Sequence, residues 1–154
     1  MSLQNVLIIG GGVGGTAILK LLLTAELFHV QRVVDIDESA QAIQIAKQHN
    51  IATSTEWRPY LTNELHMIFD LTGEPAVFEE LLRERPKRTV LIPGAVASML
   101  LGLLKEKDQF IQMIREESHK QQFIFNSIEE GMISIDANGN VNFFNKSAER
   151  MTDI

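Results

Sequence analysis

Five of the six residues from Gly10 to Gly15 are glycine, and they end the apolar run Val6 to Ile9. Gly10, Gly12 and Gly15 fit the spacing G-x-G-x-x-G, and Thr16 to Leu23 continue with helical patterning. A turn of this kind does anion chemistry. The first glycine lets the chain turn sharply, and the second lets backbone N–H groups approach a pyrophosphate. The third lets the helix pack close to the strand. The phosphates then meet unpaired N–H groups at the positive end of the helix. Gly11, Val13 and Gly14 complete the loop and belong to the same candidate site.

A second group must accompany the loop for this chemistry: an acid about 20 residues on, at the end of the next strand. His29 to Asp37 read HVQRVVDID, and Asp35 closes the apolar pair Val33 and Val34. A carboxylate there accepts both ribose hydroxyls of an adenosine and repels a 2′-phosphate, which favours NAD over NADP. Asp37 takes the role instead if the strand runs two residues longer. The expected cofactor is NAD(H), with another adenine nucleotide as the alternative. The plainer reading is a strand-to-helix turn that holds no ligand.

The elements that must position these groups alternate along the first hundred residues. Val6 to Ile9 is an apolar strand, and Thr16 to Glu26 a helix with Ile18, Leu19, Leu22 and Leu23 as its buried stripe. Val33 to Asp35 is the second strand. A helix comes next, with Ser39 as its cap, Ala42, Ile43, Ile45 and Ala46 inward, and Asn50 at its end. Ile51 to Thr53 is the third strand. Trp57 to Leu65 reads as a loop with at most one helical turn, since Pro59 lies within it. Met67 to Leu71 is the fourth strand. Pro75 suits the first turn of a helix through Arg83, and Thr89 to Ile92 is the fifth strand. This order predicts an α/β fold with a doubly wound parallel sheet.

After Gly94 the organisation changes. Leu103 to Ile128 holds neither proline nor further glycine, and reads as one long helix leaving the domain. Leu103, Phe110, Glu117 and Ile124 recur every seven residues, as do Leu100, Lys107, Ile114, Gln121 and Ile128. Lys107, Glu117 and Gln121 interrupt the seam. A parallel homodimer helix with polar interruptions and an amphipathic helix folded back on its own domain both fit this broken heptad. Beyond it, Met132 to Asp136 and Val141 to Phe144 are two short strands with Asn138-Gly139 between them, a hairpin signal. Ser147 to Met151 begins a further helix. The parts divide as 1–101, 102–127 and 128–154.

Composition narrows the function classes. Net charge is −6, and the only basic cluster is the short Arg83 to Arg88 segment, so direct nucleic-acid contact is not expected. The chain has no cysteine, which excludes disulfides, thiolate nucleophiles and cysteine-ligated metals and agrees with a reduced, cytoplasmic setting. The first apolar run is too short to span a bilayer and has no basic leader before it. His29, His49, His66 and His119 are dispersed, so no helical metal pair forms, and no G-x-S-x-G elbow is present. No catalytic residue and no metal ligand is assigned. Trp57 and Tyr60 touch either an adenine or the sheet edge, and edge packing is the preferred reading.

The front of the chain resembles the NAD-binding half of dehydrogenases, through Gly10, Gly12, Gly15 and Asp35. Asp70 to Pro75 is similar to the fourth-strand loop that those proteins place beside the nicotinamide ribose, which implies that Thr72 and Gly73 belong to the site. The tail resembles the start of a PAS sensory domain. The matching residues are Ile128 to Met132, Asp136 before Asn138-Gly139, and Phe144-Asn145-Lys146-Ser147-Ala148-Glu149. A nucleotide domain, a helical connector and a PAS start together resemble the amino-terminal part of sigma-54-dependent regulators. That resemblance implies a ligand-sensing regulatory region, with an ATPase and a DNA-binding module elsewhere. A dehydrogenase fragment and a ligand-free dimerisation domain are the alternatives.

Overall fold

The computed structural model describes residues 3–152. The chain divides into a unit ending at Leu104 and a unit beginning at Lys105. In the first, β1 (Gln4–Ile9), α1 (Val13–Leu23), β2 (Phe28–Val34), α2 (Gln41–Gln48), β3 (Ala52–Ser54), β4 (Met67–Asp70), α3 (Pro75–Glu84) and β5 (Val90–Pro93) succeed one another in order. All pairings are parallel and the strand order is β3-β2-β1-β4-β5. That order matches five of the six positions of the doubly wound dinucleotide fold, a Rossmann-like α/β sheet whose switch point lies between β1 and β4.

Strand β1 is buried on both faces because both faces are covered. Val6 and Ile8 join Ile18, Leu19 and Leu22 of α1 and Ala42, Ile43 and Ala46 of α2. Leu7 and Ile9 face the other way, onto Trp57, Leu65, Ile68 and Leu81. Period-two alternation on a strand thus feeds two separate cores.

Several boundaries differ from those expected of the sequence. Helix α1 starts at Val13, inside the glycine loop, and stops at Leu23, short of Glu26. Leu23 is 37% exposed and does not join the buried stripe. Strand β2 begins at Phe28, five residues before the apolar pair, because Gln4 and Asn5 of β1 offer it partners. Ser39 does not cap α2. Ala40 stands at the cap with no side-chain bond, and the Ser39 hydroxyl donates to Asp37 Oδ1 at 2.6 Å. Helix α2 ends at Gln48, and Asn50 takes a left-handed φ of 57° just past it, as helix-terminating asparagines do. The loop from Trp57 contains one 3-10 turn, Arg58–Tyr60. There Trp57 is buried in the core with the Arg58 guanidinium 4.5 Å above its ring, and Arg32 sits 3.8 Å above Tyr60.

Helix α4 (Gly94–Ser127) starts directly at the end of β5 with no loop and runs past the boundary between the units. The second unit adds β6 (Ile133–Ile135), antiparallel to β7 (Val141–Phe144), and α5 (Lys146–Thr152). Gly139 turns the hairpin at φ 86°, and Asp136 Oδ1 accepts the N–H groups of Asn138 at 2.8 Å and Asn140 at 2.9 Å. Asn145 is fully buried and uses its whole amide. Its oxygen accepts from the N–H groups of Met132 and Ala148, and its nitrogen donates to the carbonyls of Phe125 and Glu130. Among the described residues, no helix is long and apolar enough to cross a membrane.

Candidate functional site

The glycine loop lies at the carboxyl end of β1, beside the switch point. Its glycines are there for different reasons. Gly10 has φ 102°, and a Cβ on it would lie 2.5 Å from the Leu71 carbonyl carbon. A Cβ on Gly15 would lie 1.9 Å from the Gly10 carbonyl oxygen. Both positions therefore need glycine for the turn itself. At Gly11 a Cβ would press on Ala40 Cβ at 3.0 Å and on the Asp35 carboxylate at 3.1 Å. Gly12 differs. It has φ −70°, it is exposed, and a Cβ there would meet nothing within 4 Å. Among the described residues, none sterically requires glycine at this position.

Gly12 is also the N-cap of α1, without a side-chain capping bond. The Gly12 carbonyl accepts the first helical bond, from the Thr16 N–H at 2.9 Å. The N–H groups of Val13, Gly14 and Gly15 precede that bond and have no partner within the helix, which leaves donors and a positive helix end at the loop. Val13 itself is 88% exposed.

Strand β2 ends at Val34, so Asp35 is the first residue beyond it. Its carboxylate bridges the two loops. Oδ2 accepts from the Gly11 N–H, and Oδ1 accepts from the Asp37 N–H at 2.8 Å. Asp37 stands two residues further out. Its Oδ1 accepts from the Ser39 hydroxyl and from the Ser39 N–H at 2.8 Å, and these bonds hold its carboxyl below the usual 3.8, against a small desolvation effect. Asp35, Gly10 and Gly12 line one cavity of about 350 Å³, together with Ile36, Trp57 and Thr72. Asp37 does not line it. The size falls within the ordinary range of ligand pockets.

The far wall comes from the β4 end. Asp70, the last residue of that strand, is buried and accepts from the Thr72 hydroxyl at 2.7 Å and the Thr72 N–H at 3.2 Å. Thr72 Oγ1 in turn accepts from the Glu74 N–H at 3.2 Å. Gly73 takes φ 73° with open space around it, so the loop needs its conformational freedom, not its size. A second cavity of about 380 Å³ opens on this side, lined by Gly14, Asp70, Gly73, Gly94 and Ser98. Leu71 and Glu74 line both cavities and divide them.

Of the residues chosen from sequence, Gly10, Gly12, Asp35 and Thr72 thus surround one space, and Gly14 and Gly73 the next. Gly11 holds Asp35 from behind, Gly15 is spent on the turn, and Val13 begins the helix. Sequence reasoning passed over Ile36, which is 90% exposed at the cavity rim, and named Asp70 only as the start of the β4 loop, without a role of its own. The signal for Asp70 was present: an acid closing an apolar strand, the same pattern that marked Asp35. Among the described residues, no group of acids and histidines is arranged to hold a metal ion.

No family model matches the chain. It is 31% identical over 101 residues to acetaldehyde dehydrogenase 1 of Parafrankia sp. (strain EAN1pec), an alignment covering 60% of this chain and 31% of that protein. The chain therefore spans about a third of the length of this curated relative. Among solved structures it is similar to GenD2 from gentamicin A biosynthesis in complex with NAD, at 21% identity and TM-score 0.48, covering 60% of this chain and 27% of that one. It is likewise similar to an NAD-binding protein from Listeria innocua, at 16% identity and TM-score 0.45, with the same coverage. The fold assignment itself rests on strand order and register.

Proposed function

We propose that the amino-terminal unit binds NAD(H) across the carboxyl edge of its sheet. The observation that carries this reading is Gly12. It is the one loop glycine that is open to solvent, lines the cavity and is not required by the backbone around it. A ligand approaching the free N–H groups of α1 supplies the missing reason, because a side chain at position 12 would stand in its way. In this reading the pyrophosphate rests on Gly12, Val13 and Gly14. The adenosine ribose lies at Asp35, whose carboxylate has lone pairs left after its two backbone bonds. The exposed Ile36 offers the adenine an apolar surface, and the Thr72-Gly73 loop faces the nicotinamide half. A 2′-phosphate would meet the carboxylate of Asp35, so NADPH binds more weakly. Calorimetric titration with NADH and NADPH tests this directly. Saturable NADH binding that is lost in Asp35→Ala supports it, and absence of binding refutes it.

The wider reading is a ligand-sensing regulatory region of the sigma-54-dependent type. Residues 1–101 bind the nucleotide, 102–127 connect, and 128–154 begin a PAS domain. The chain is a homodimer through the connector. The hairpin with its Asn138-Gly139 turn and the Asn145 hub support the last part. A nucleotide relay would need a coupling of about 1–3 kcal/mol to give a useful response. It is tested by connector cross-linking with and without NADH. An oxidoreductase fragment is supported by a different observation, the identity shared with a protein named as a dehydrogenase. In that case the second cavity receives the substrate, and NADH is consumed when a carbonyl compound is added.

A further inference from the structure

Helix α4 carries, between Glu106 and Lys120, a face whose charges match a second copy running the opposite way. Lys107, Phe110, Ile114 and Glu117 alternate three and four residues apart and lie on one face. Glu106, Met113 and Lys120 flank this row on one side, and Ile111 and Ser118 flank it on the other. The apolar members are exposed in the chain: Phe110 is 62% exposed, Met113 65% and Ile114 54%. Such a face needs a partner.

A parallel, in-register pair fits badly. It sets Lys107 against Lys107 and Glu117 against Glu117 at the buried seam, and it places Glu106 beside Ile111. The antiparallel pair changes every one of these contacts. With the two-fold axis at the level of Gln112, Lys107 opposes Glu117 of the second copy, and Phe110 opposes Ile114. On the flanks Glu106 meets Lys120, while Met113 meets Met113 and Ile111 meets Ile111 across the axis. The apolar residues then gather at the centre, with opposite charges closing both ends. Because the interface is isologous, each ion pair occurs twice.

We infer that this segment of α4 is an antiparallel homodimer interface centred on Gln112. The inference deepens the homodimer part of the proposed function and is independent of the nucleotide. It replaces the parallel arrangement considered from the heptad spacing. The reason is charge: heptad spacing alone does not fix direction, whereas the signs at 106, 107, 117 and 120 do.

The chain has no cysteine, so single introduced thiols report contacts cleanly. Met113→Cys and Glu117→Cys are made in the full chain and exposed to oxidised glutathione, with sedimentation equilibrium in parallel. The antiparallel interface brings the two introduced thiols of Met113→Cys together at the axis. It holds the position-117 thiols apart, since residues 107 and 117 are about 15 Å apart along a helix, well beyond disulfide reach. Rapid linkage of Met113→Cys alone is the expected result. Linkage of Glu117→Cys alone keeps the homodimer and overturns the antiparallel arrangement. Linkage of both, or a dimer that links in neither, overturns the interface. A monomer overturns the homodimer as well. Charge reversal adds a second readout. Lys107→Glu weakens the dimer about tenfold, and adding Glu117→Lys restores it. A parallel pair has like charges at both layers in parent and variant alike, and loses little.

Discussion

Replacing Gly12 by alanine separates the two reasons a glycine can occupy a turn. A methyl group at this position enters open space, with φ already at −70°. The turn itself is therefore undisturbed. Alanine is a poorer N-cap than glycine, which offsets the roughly 0.4–1 kcal/mol gained from the lower freedom of the unfolded chain, so stability stays within about 1 kcal/mol of the parent. Nucleotide binding responds far more strongly. The methyl group sits where the pyrophosphate reaches the α1 amides, and lengthening charge-assisted hydrogen bonds costs about 1.5–3 kcal/mol. That is about 10- to 150-fold in Kd. Gly15→Ala is the control. Its Cβ would lie 1.9 Å from the Gly10 carbonyl oxygen, so the turn must open, and stability falls by at least the roughly 1–3 kcal/mol of an overpacked core. Thermal unfolding and then NADH calorimetry distinguish the variants. The reasoning fails if Gly12→Ala binds NADH as tightly as the parent, or if it melts as early as Gly15→Ala.

Other outcomes rest on the same contacts. Asp35→Ala weakens NADH binding at least about tenfold while loosening the Gly11 and Asp37 amides, visible as faster hydrogen exchange at both. The Asp37 carboxyl, held below 3.8 by Ser39, favours the folded form above that pH and loses this contribution as pH falls through its lowered folded value. Ser39→Ala raises its titration midpoint in a carboxyl-resolved NMR titration, and an unchanged midpoint removes the assigned cause. Asn145→Ala orphans the Met132 and Ala148 N–H groups and the Phe125 and Glu130 carbonyls, costing about 1–3 kcal/mol locally. Exchange should quicken at Met132 and Ala148 and stay unchanged in β1, and protection retained at both amides would contradict the hub.

Much of the first unit was legible because the apolar run of its central strand is fully buried. Runs such as Val6 to Ile9 leave little choice of element, and the glycine spacing after Ile9 dictates a tight turn into a helix. Polar strand ends were not legible. Phe28 to Gln31 join β2 through pairing with β1, a tertiary cause that no local pattern carries. Ser39 has the residue type of a cap, yet Asp37 competes for its hydroxyl. The distinct roles of the glycines were hidden too, since spacing alone shows neither the Leu71 carbonyl behind Gly10 nor the empty space beside Gly12. In the tail, Asn138-Gly139 announced the hairpin, whereas Asn145 became a hub only once Phe125, Glu130, Met132 and Ala148 had been brought around it.

The measurement that bears most directly on the central claim is calorimetric titration of the intact chain with NADH, NAD and NADPH under one buffer. The account predicts saturable binding of NADH or NAD at one site per chain, with NADPH clearly weaker. No binding of any of the three, or NADPH bound as well as NADH, would contradict it.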